Sequence, residues 1–233
     1  MMKIKDLETL NYKDISTLEP LILSYMQSFL NYNSHTNLIS KNDEKVLFEK
    51  HIYDSLSINL FEEIKNCKSL LDIGTGGGFP SVPIALAFSN LKVVGVDSIG
   101  KKIKFINEIA TELNLKNLNG IVSRTEELPQ KMRDSFDLVT SRAVAPLNII
   151  LEYAIPYLKI NGYFIAYKSK IVNEEIEQAQ NALNVLNCKI EKIIDYKLPL
   201  EDNFDRNLVI IKKLKATPKG FPRRTGLAKS NPL

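Results

Sequence analysis

The sequence is short of the residues that build disulfide scaffolds and metal centres. Cys67 and Cys188 are its only cysteines in 233 residues, and neither belongs to a Cys-x-x-Cys pair or a Cys/His cluster. A structural zinc site normally takes four ligands, so no metal is expected and both thiols read as structural. No apolar run approaches the ~20 residues of a membrane helix, and the basic, Asn-rich start with early acids lacks the layout of a secretory signal. The expectation is a cytoplasmic protein with no membrane partner. Internal repeats and low-complexity tracts are missing too. What is present, 44% hydrophobic and 25% charged residues, is the balance of an ordinary globular protein, long enough for one substantial α/β domain and an appendage.

Acidic residues are absent from one region. From Arg206 onward there are eight Lys or Arg and no Asp or Glu, against a net charge of +4 for the chain. The preceding residues are therefore net acidic. Lys212, Lys213 and Lys215 lead into a Pro/Gly-punctuated segment with Lys219, Arg223, Arg224 and Lys229. Such a segment can follow a phosphate backbone and release counterions, and Phe221 among the cations could stack on an exposed base. A solvated, disordered terminus is the alternative.

The texture changes near residue 68. Before it, residues 19–32 and 43–65 read as amphipathic helices, the second with Phe48, Ile52, Leu56 and Leu60 at i+4 spacing. The intervening "NYNSHTNLIS" has the composition of a loop. After residue 68, seven strand-like runs mostly alternate with helical patterns, from "SLLDIG" to "DRNLVIIKKL". This predicts a mostly parallel seven-stranded sheet with helices on both faces, closed by an antiparallel hairpin of the last two runs. The divisions are a helical extension at 1–67, an α/β domain at 68–214 and a basic tail at 215–233.

At the first strand's carboxyl end stands "LLDIGTGGGFP", residues 70–80. In a doubly wound sheet this turn borders the ligand crevice. A dinucleotide fingerprint requires G-x-G-x-x-G, but the sixth position is Phe79 counted from Gly74 and Ser81 counted from Gly76. The pattern that fits is acid-x-Gly-x-Gly-x-Gly, with Asp72, Gly74, Gly76 and Gly78. It marks Rossmann-like class I methyltransferases that use S-adenosyl-L-methionine. Asp72 suits the cofactor's α-amino group and sulfonium. Asp97, ending the next strand, stands where such folds hold ribose hydroxyls, although it could simply cap the following helix.

The motifs "NYNSHTNLIS", "HIYDS", "LLDIGTGGGFPSVPIAL", "VDSIGKKIKFI", "SRTEEL", "FDLVTSRAVAPL" and "TPKGFPRRTGLAKSNPL" together resemble the glucose-inhibited division protein B family, also called ribosomal RNA small subunit methyltransferase G. The resemblance covers nearly the whole chain. It implies methyl transfer to N7 of a guanine in 16S ribosomal RNA, with that RNA or the small-subunit particle as partner and a monomeric enzyme. It further implies that Gly74 and Phe79 line the cofactor site, that Asp97, Thr125 and Glu126 surround the adenosine end, and that Arg142 faces cofactor or substrate. Departures are modest: Phe79 stands where Leu is frequent, and Tyr32 where Trp is common.

The residues can be read without the resemblance. "SRTEEL" could be an exposed helix start, and Arg142 either a bidentate anion ligand or a structural ion pair. His51, Asp54 and Ser55 share a helix face; it reads as a hydrogen-bonded seam holding the N-terminal unit, with proton transfer as the alternative. No Asn/Asp-Pro-Pro-Tyr motif follows the fourth strand, and neither cysteine is placed for attack on a pyrimidine. Guanine N7 needs neither, since its lone pair is free without loss of a proton. Another RNA, a small molecule, or cofactor sensing without turnover remain alternative functions.

Overall fold

The computed structural model describes residues 4–169, 173–200 and 204–233. Seven strands, β1 Ser69–Ile73, β2 Lys92–Asp97, β3 Leu118–Val122, β4 Phe136–Arg142, β5 Leu158–Ser169, β6 Cys188–Lys197 and β7 Asp205–Lys213, form one sheet in the order β3-β2-β1-β4-β5-β7-β6. The pairs among β1 to β5 are parallel, while β7 runs antiparallel to both β5 and β6. The expected hairpin is there. Its return strand β7 lies inside the sheet, so β6 forms the edge. On the opposite edge, the Asn107 side chain bonds both the N–H (2.8 Å) and the C=O (3.2 Å) of Gly120 in β3.

Alternation along the strands sends apolar side chains to two cores. Leu70, Leu138, Ile165 and Ile210 meet the helices Ser81–Ala87 and Gly100–Glu112 and the N-terminal residues. Leu71, Val139, Phe164 and Val209 meet the helix Leu147–Ala154 and the helical residues Gln180–Val185. Helices thus cover both faces, as expected. The N-terminal segment shares the first core directly: Tyr25 and Phe29 are fully buried and stack on Phe79 at 6.0 and 5.1 Å between ring centroids.

Two N-terminal expectations are corrected. The first helix runs from Ile15 to Thr36, capped by the Asp14 carboxylate. It absorbs the first six residues of "NYNSHTNLIS", and the true turn begins at Asn37, which adopts φ +53°. The buried Asn33 side chain holds that turn through the N–H (2.9 Å) and C=O (3.1 Å) of Ile39. Residues 43–65 are not one helix: a π turn, Phe48–Tyr53, passes through a short α segment, Asp54–Leu56, into 3-10 turns. Phe48, Ile52 and Leu56 remain buried. The Ser55 and Ser57 hydroxyls, however, bond the carbonyls of His51 and Asp54 and compete with regular helix bonding.

Candidate active site

The carboxyl ends of the parallel strands carry two neighbouring clefts. One, of about 450 Å³, lies beyond β1, β2 and β3 and is lined by Gly74, Asp97, Ile99, Thr125, Glu126 and Tyr153, among others. The other, of about 530 Å³, lies beyond β4 and β5 and holds Lys50, His51, Arg142, Lys168, Glu175 and Arg206. Ala143 and Val144 line both. Ala143 adopts φ +56°, an uncommon conformation for a residue with a Cβ, in the short connection between β4 and its helix.

Positive φ values at Gly74 and Gly78 explain the turn's composition. A Cβ on Gly74 (φ +68°) would come 2.4 Å from the Val144 side chain, and one on Gly78 (φ +90°) 2.6 Å from Val82. Gly74 faces the cleft; Gly78 is packed inward. The Gly76 N–H donates to Asp97 Oδ2 at 3.0 Å. Asp97, 8% exposed, also accepts from the Ile99 N–H at 2.9 Å and faces Lys102 Nζ at 3.5 Å. It therefore ties the residue that leads into the following helix to the glycine turn, without capping that helix itself, and has acceptor capacity left toward the cleft.

Of the residues expected at the cofactor, Gly74, Asp97, Thr125 and Glu126 line the first cleft, while Asp72, Gly76, Gly78, Phe79 and Arg142 do not. Asp72 points with Leu70 to the face covered by the helices Ser81–Ala87 and Gly100–Glu112, because residues two apart on a strand share a face. It is fully buried and accepts from the Thr140 hydroxyl at 2.9 Å. Burial pushes its pKa up to about 7 against the pull of the Thr75 and Thr140 hydroxyls and Arg142. It supports the turn from behind. Phe79 is 4% exposed in an aromatic cluster with Tyr25, Phe29 and His51 and does not line the cofactor-side cleft.

Arg142 lines the second cleft. Its guanidinium donates to Asp54 Oδ2 (2.9 Å) and to the Lys50 carbonyl (3.2 Å), meets His51 Nδ1 (2.9 Å), and sits 5.3 Å from the centre of the Phe79 ring. The ion pair is real, and the His51/Asp54 face is the seam between N-terminal segment and sheet. Burial, followed by the Arg142 charge, holds the His51 pKa down to about 3, so the imidazole is neutral near pH 7. Asp54 also accepts from the Tyr196 hydroxyl at 2.6 Å and lies 3.7 Å from Arg206 Nε.

Lys168 and Arg206 line the second cleft, and sequence reasoning missed both. Lys168 is the last residue but one of β5, near the strand end at which ligand contacts are found. Arg206 was counted with the tail, yet β7 is antiparallel, and its first residues therefore stand beside the last ones of β5: Arg206 pairs with Ser169.

The basic tail is folded, and two of its cations are internal. Lys213 is fully buried and donates to Asp134 Oδ1 (2.6 Å) and to the carbonyls of Ile155 (3.0 Å) and Leu158 (2.7 Å). Arg223 grips the buried Glu152 carboxylate at 2.6 to 2.9 Å. Both leave the set expected to meet RNA: Lys213 because a buried cation must be satisfied by the protein itself, and the partly exposed Arg223 because its guanidinium is already committed to Glu152 and the Asn231 carbonyl. Phe221 is half-buried against the second core. Lys215, Lys219, Arg224 and Lys229 are exposed, and Lys212 lies half-buried, 5.4 Å from the centre of the Tyr163 ring. Burial raises the Cys67 and Cys188 thiols to about 11 and about 12, so neither is a thiolate near neutrality. Among the described residues no helix is long and apolar enough to cross a membrane, and no three His, Cys, Asp or Glu side chains converge as a metal site.

Known proteins share this architecture and sequence. A 16S rRNA (adenine(1408)-N(1))-methyltransferase mutant from Catenulisporales acidiphilia superposes with a TM-score of 0.53 at 15% identity, over 65% of this chain and 87% of that one, a likeness of fold. A Ribosomal RNA small subunit methyltransferase G of Clostridium kluyveri is 40% identical over 204 residues, covering 87% of this chain and 85% of its own. One from Lysinibacillus sphaericus is 37% identical over 97% of both. Residues 19–209 match the GidB family, described as rRNA small subunit methyltransferase G, and the chain belongs to that family.

Proposed function

We propose that the protein transfers a methyl group from S-adenosyl-L-methionine to N7 of a guanine in 16S ribosomal RNA. The observation that carries this reading is the meeting of two unlike clefts at the Ala143–Val144 connection. One is built for a small polar cofactor, the other for an anionic acceptor.

The first cleft fits the cofactor. Gly74 puts bare backbone on its wall, where a Cβ would strike Val144 at 2.4 Å, and Asp97 presents a carboxylate suited to hydroxyl donors. Gly74, Asp97, Thr125 and Glu126 would hold it. When bound, S-adenosylmethionine supplies an electrophilic methyl group on a positively charged sulfur. The protein's task is placement, because orienting two reactants supplies much of the barrier lowering in a direct displacement. Guanine N7 attacks with a free lone pair, so His51, neutral and locked on Arg142, has no proton to remove. Arg142, Lys168 and Arg206 give the second cleft the charge to hold a nucleotide against the connection. The exposed cations Lys219 and Arg224, with Lys212 beside them in sequence, extend the basic surface for the RNA.

The division into an extension at 1–67, a transfer domain at 68–214 and a tail at 215–233 belongs to this reading. So do a monomeric state, supported by both clefts being built from a single chain, and a cytoplasmic site of action, where ribosomal subunits are assembled. Purified protein, labelled cofactor, and small subunits or 16S RNA lacking the modification test the proposal. Label at one guanine, with loss of its N7 reactivity, is expected. Label confined to another RNA or to small acceptors, or cofactor binding without turnover, would overturn it.

A further inference from the structure

The C-terminal segment does more than carry charge. Glu152, 1% exposed on the helix Leu147–Ala154, is gripped by the Arg223 guanidinium and also accepts from the Arg223 N–H at 2.8 Å. The same guanidinium bonds the Asn231 carbonyl at 2.9 Å, closing residues 223–231 into a compact loop. Within that loop the Gly226 N–H, at φ +83°, donates to Glu126 Oε1 at 3.2 Å, and the Thr225 hydroxyl bonds Glu127 Oε1 at 2.9 Å. Lys229 lines the cleft that holds Asp97 and Thr125.

We propose that this loop is a positioning element of the cofactor site: anchored by Arg223 on Glu152, the Thr225–Gly226 turn sets the Glu126 carboxylate so that it can read the amino edge of the cofactor's adenine. The inference rests on the cofactor assignment above. Glu126 follows β3 in a short 3-10 turn, Thr125–Glu127, and a half-exposed glutamate there has several rotamers to choose from. A donor fixed on Oε1 from outside and the Tyr153 hydroxyl on the same cleft wall select one, and the carboxylate's several lone-pair sites still take a further donor from the cleft. An exocyclic amine donates to a carboxylate; a keto oxygen in its place would be repelled.

The test compares binding of S-adenosylhomocysteine with that of S-inosylhomocysteine, in which the adenine amino group is replaced by oxygen, by titration calorimetry on the full chain. The parent protein should prefer the adenosyl form by about tenfold or more, the equivalent of one hydrogen bond to a charged group. Arg223→Lys, which breaks the bidentate anchor but keeps the charge, should lower that preference about fivefold, and Glu126→Gln should do the same with no further loss in the double variant. If Arg223→Lys does not fold, Thr225→Val, which removes the loop's hydroxyl bond to Glu127, takes its place. A general weakening of both ligands with the preference intact would mean a merely structural loop and overturn the proposal. Equal binding of the two ligands by the parent protein would remove Glu126 from adenine reading and overturn it while leaving the methyltransferase assignment standing. Failure to bind either ligand would remove both.

Discussion

Asp54 is the junction at which N-terminal segment, sheet and second cleft meet, and its replacement should be costly in a specific way. The carboxylate, 4% exposed, is held by Arg142 at 2.9 Å and Tyr196 at 2.6 Å, with Arg206 at 3.7 Å. Asp54→Ala leaves the largely buried Arg142 guanidinium without its counter-ion, a loss that runs to about 3–5 kcal/mol when one partner of a buried pair is removed. For a chain of this size that corresponds to a fall in Tm of roughly 10 °C. Chemical denaturation should show the same loss, and a cycle with Arg142→Ala should give a coupling of at least about 1.5 kcal/mol, since removing both leaves less uncompensated charge. RNA methylation should fall in Asp54→Ala with little change in cofactor affinity, because Arg142 belongs to the second cleft. A stability loss below about 1 kcal/mol, or no coupling, would refute the view of Asp54 as the electrostatic centre of the seam.

Asp72 provides a pH prediction. Its folded pKa, raised to about 7, exceeds the unfolded value near 4, so the folded chain holds the extra proton between these limits. The associated stability is fully present below about pH 4 and is lost as pH rises toward 7. Asp72→Asn has no such loss, and its stability relative to the parent should climb from pH 4 to pH 7 and level off above; a constant difference across urea melts in that range would contradict the assignment. The tail should split into two classes. Arg224→Ala with Lys219→Ala should weaken RNA binding and shallow its salt dependence at unchanged Tm, whereas Lys213→Met or Arg223→Ala should alter stability first. Equal effects of both pairs on the salt slope would show that burial does not sort them.

Much of the fold was legible because strand recognition depends on local pattern. Each of the seven apolar runs became a strand, and the last two, with no helix between them, paired antiparallel as their short connection requires. The glycine turn, Asp97, Thr125 and Glu126 converge because all follow parallel strands at one end of the sheet. What sequence could not expose is direction and distance. Asp72 stands one residue short of the strand's end, and its enclosure beneath the helices instead of at the cleft is set by packing that the motif does not encode. The partners of Asp54 come from β4, β6 and β7, the farthest being Arg206, 152 residues away, a separation at which no periodicity operates. The tail's charges looked equivalent along a line of text; only the folded chain shows that Lys213 and Arg223 meet buried acceptors while Arg224 meets water.

The two ends of the sheet bear on the protein's behaviour in a crowded cell. An outermost strand ordinarily offers bare N–H and C=O groups on which another chain can add a strand. At β3 the Asn107 side chain already occupies both groups of Gly120. Along β6, Lys189, Glu191, Lys192, Asp195 and Lys197 would have to shed water before a new strand could dock. Both ends thereby resist the addition of a further strand.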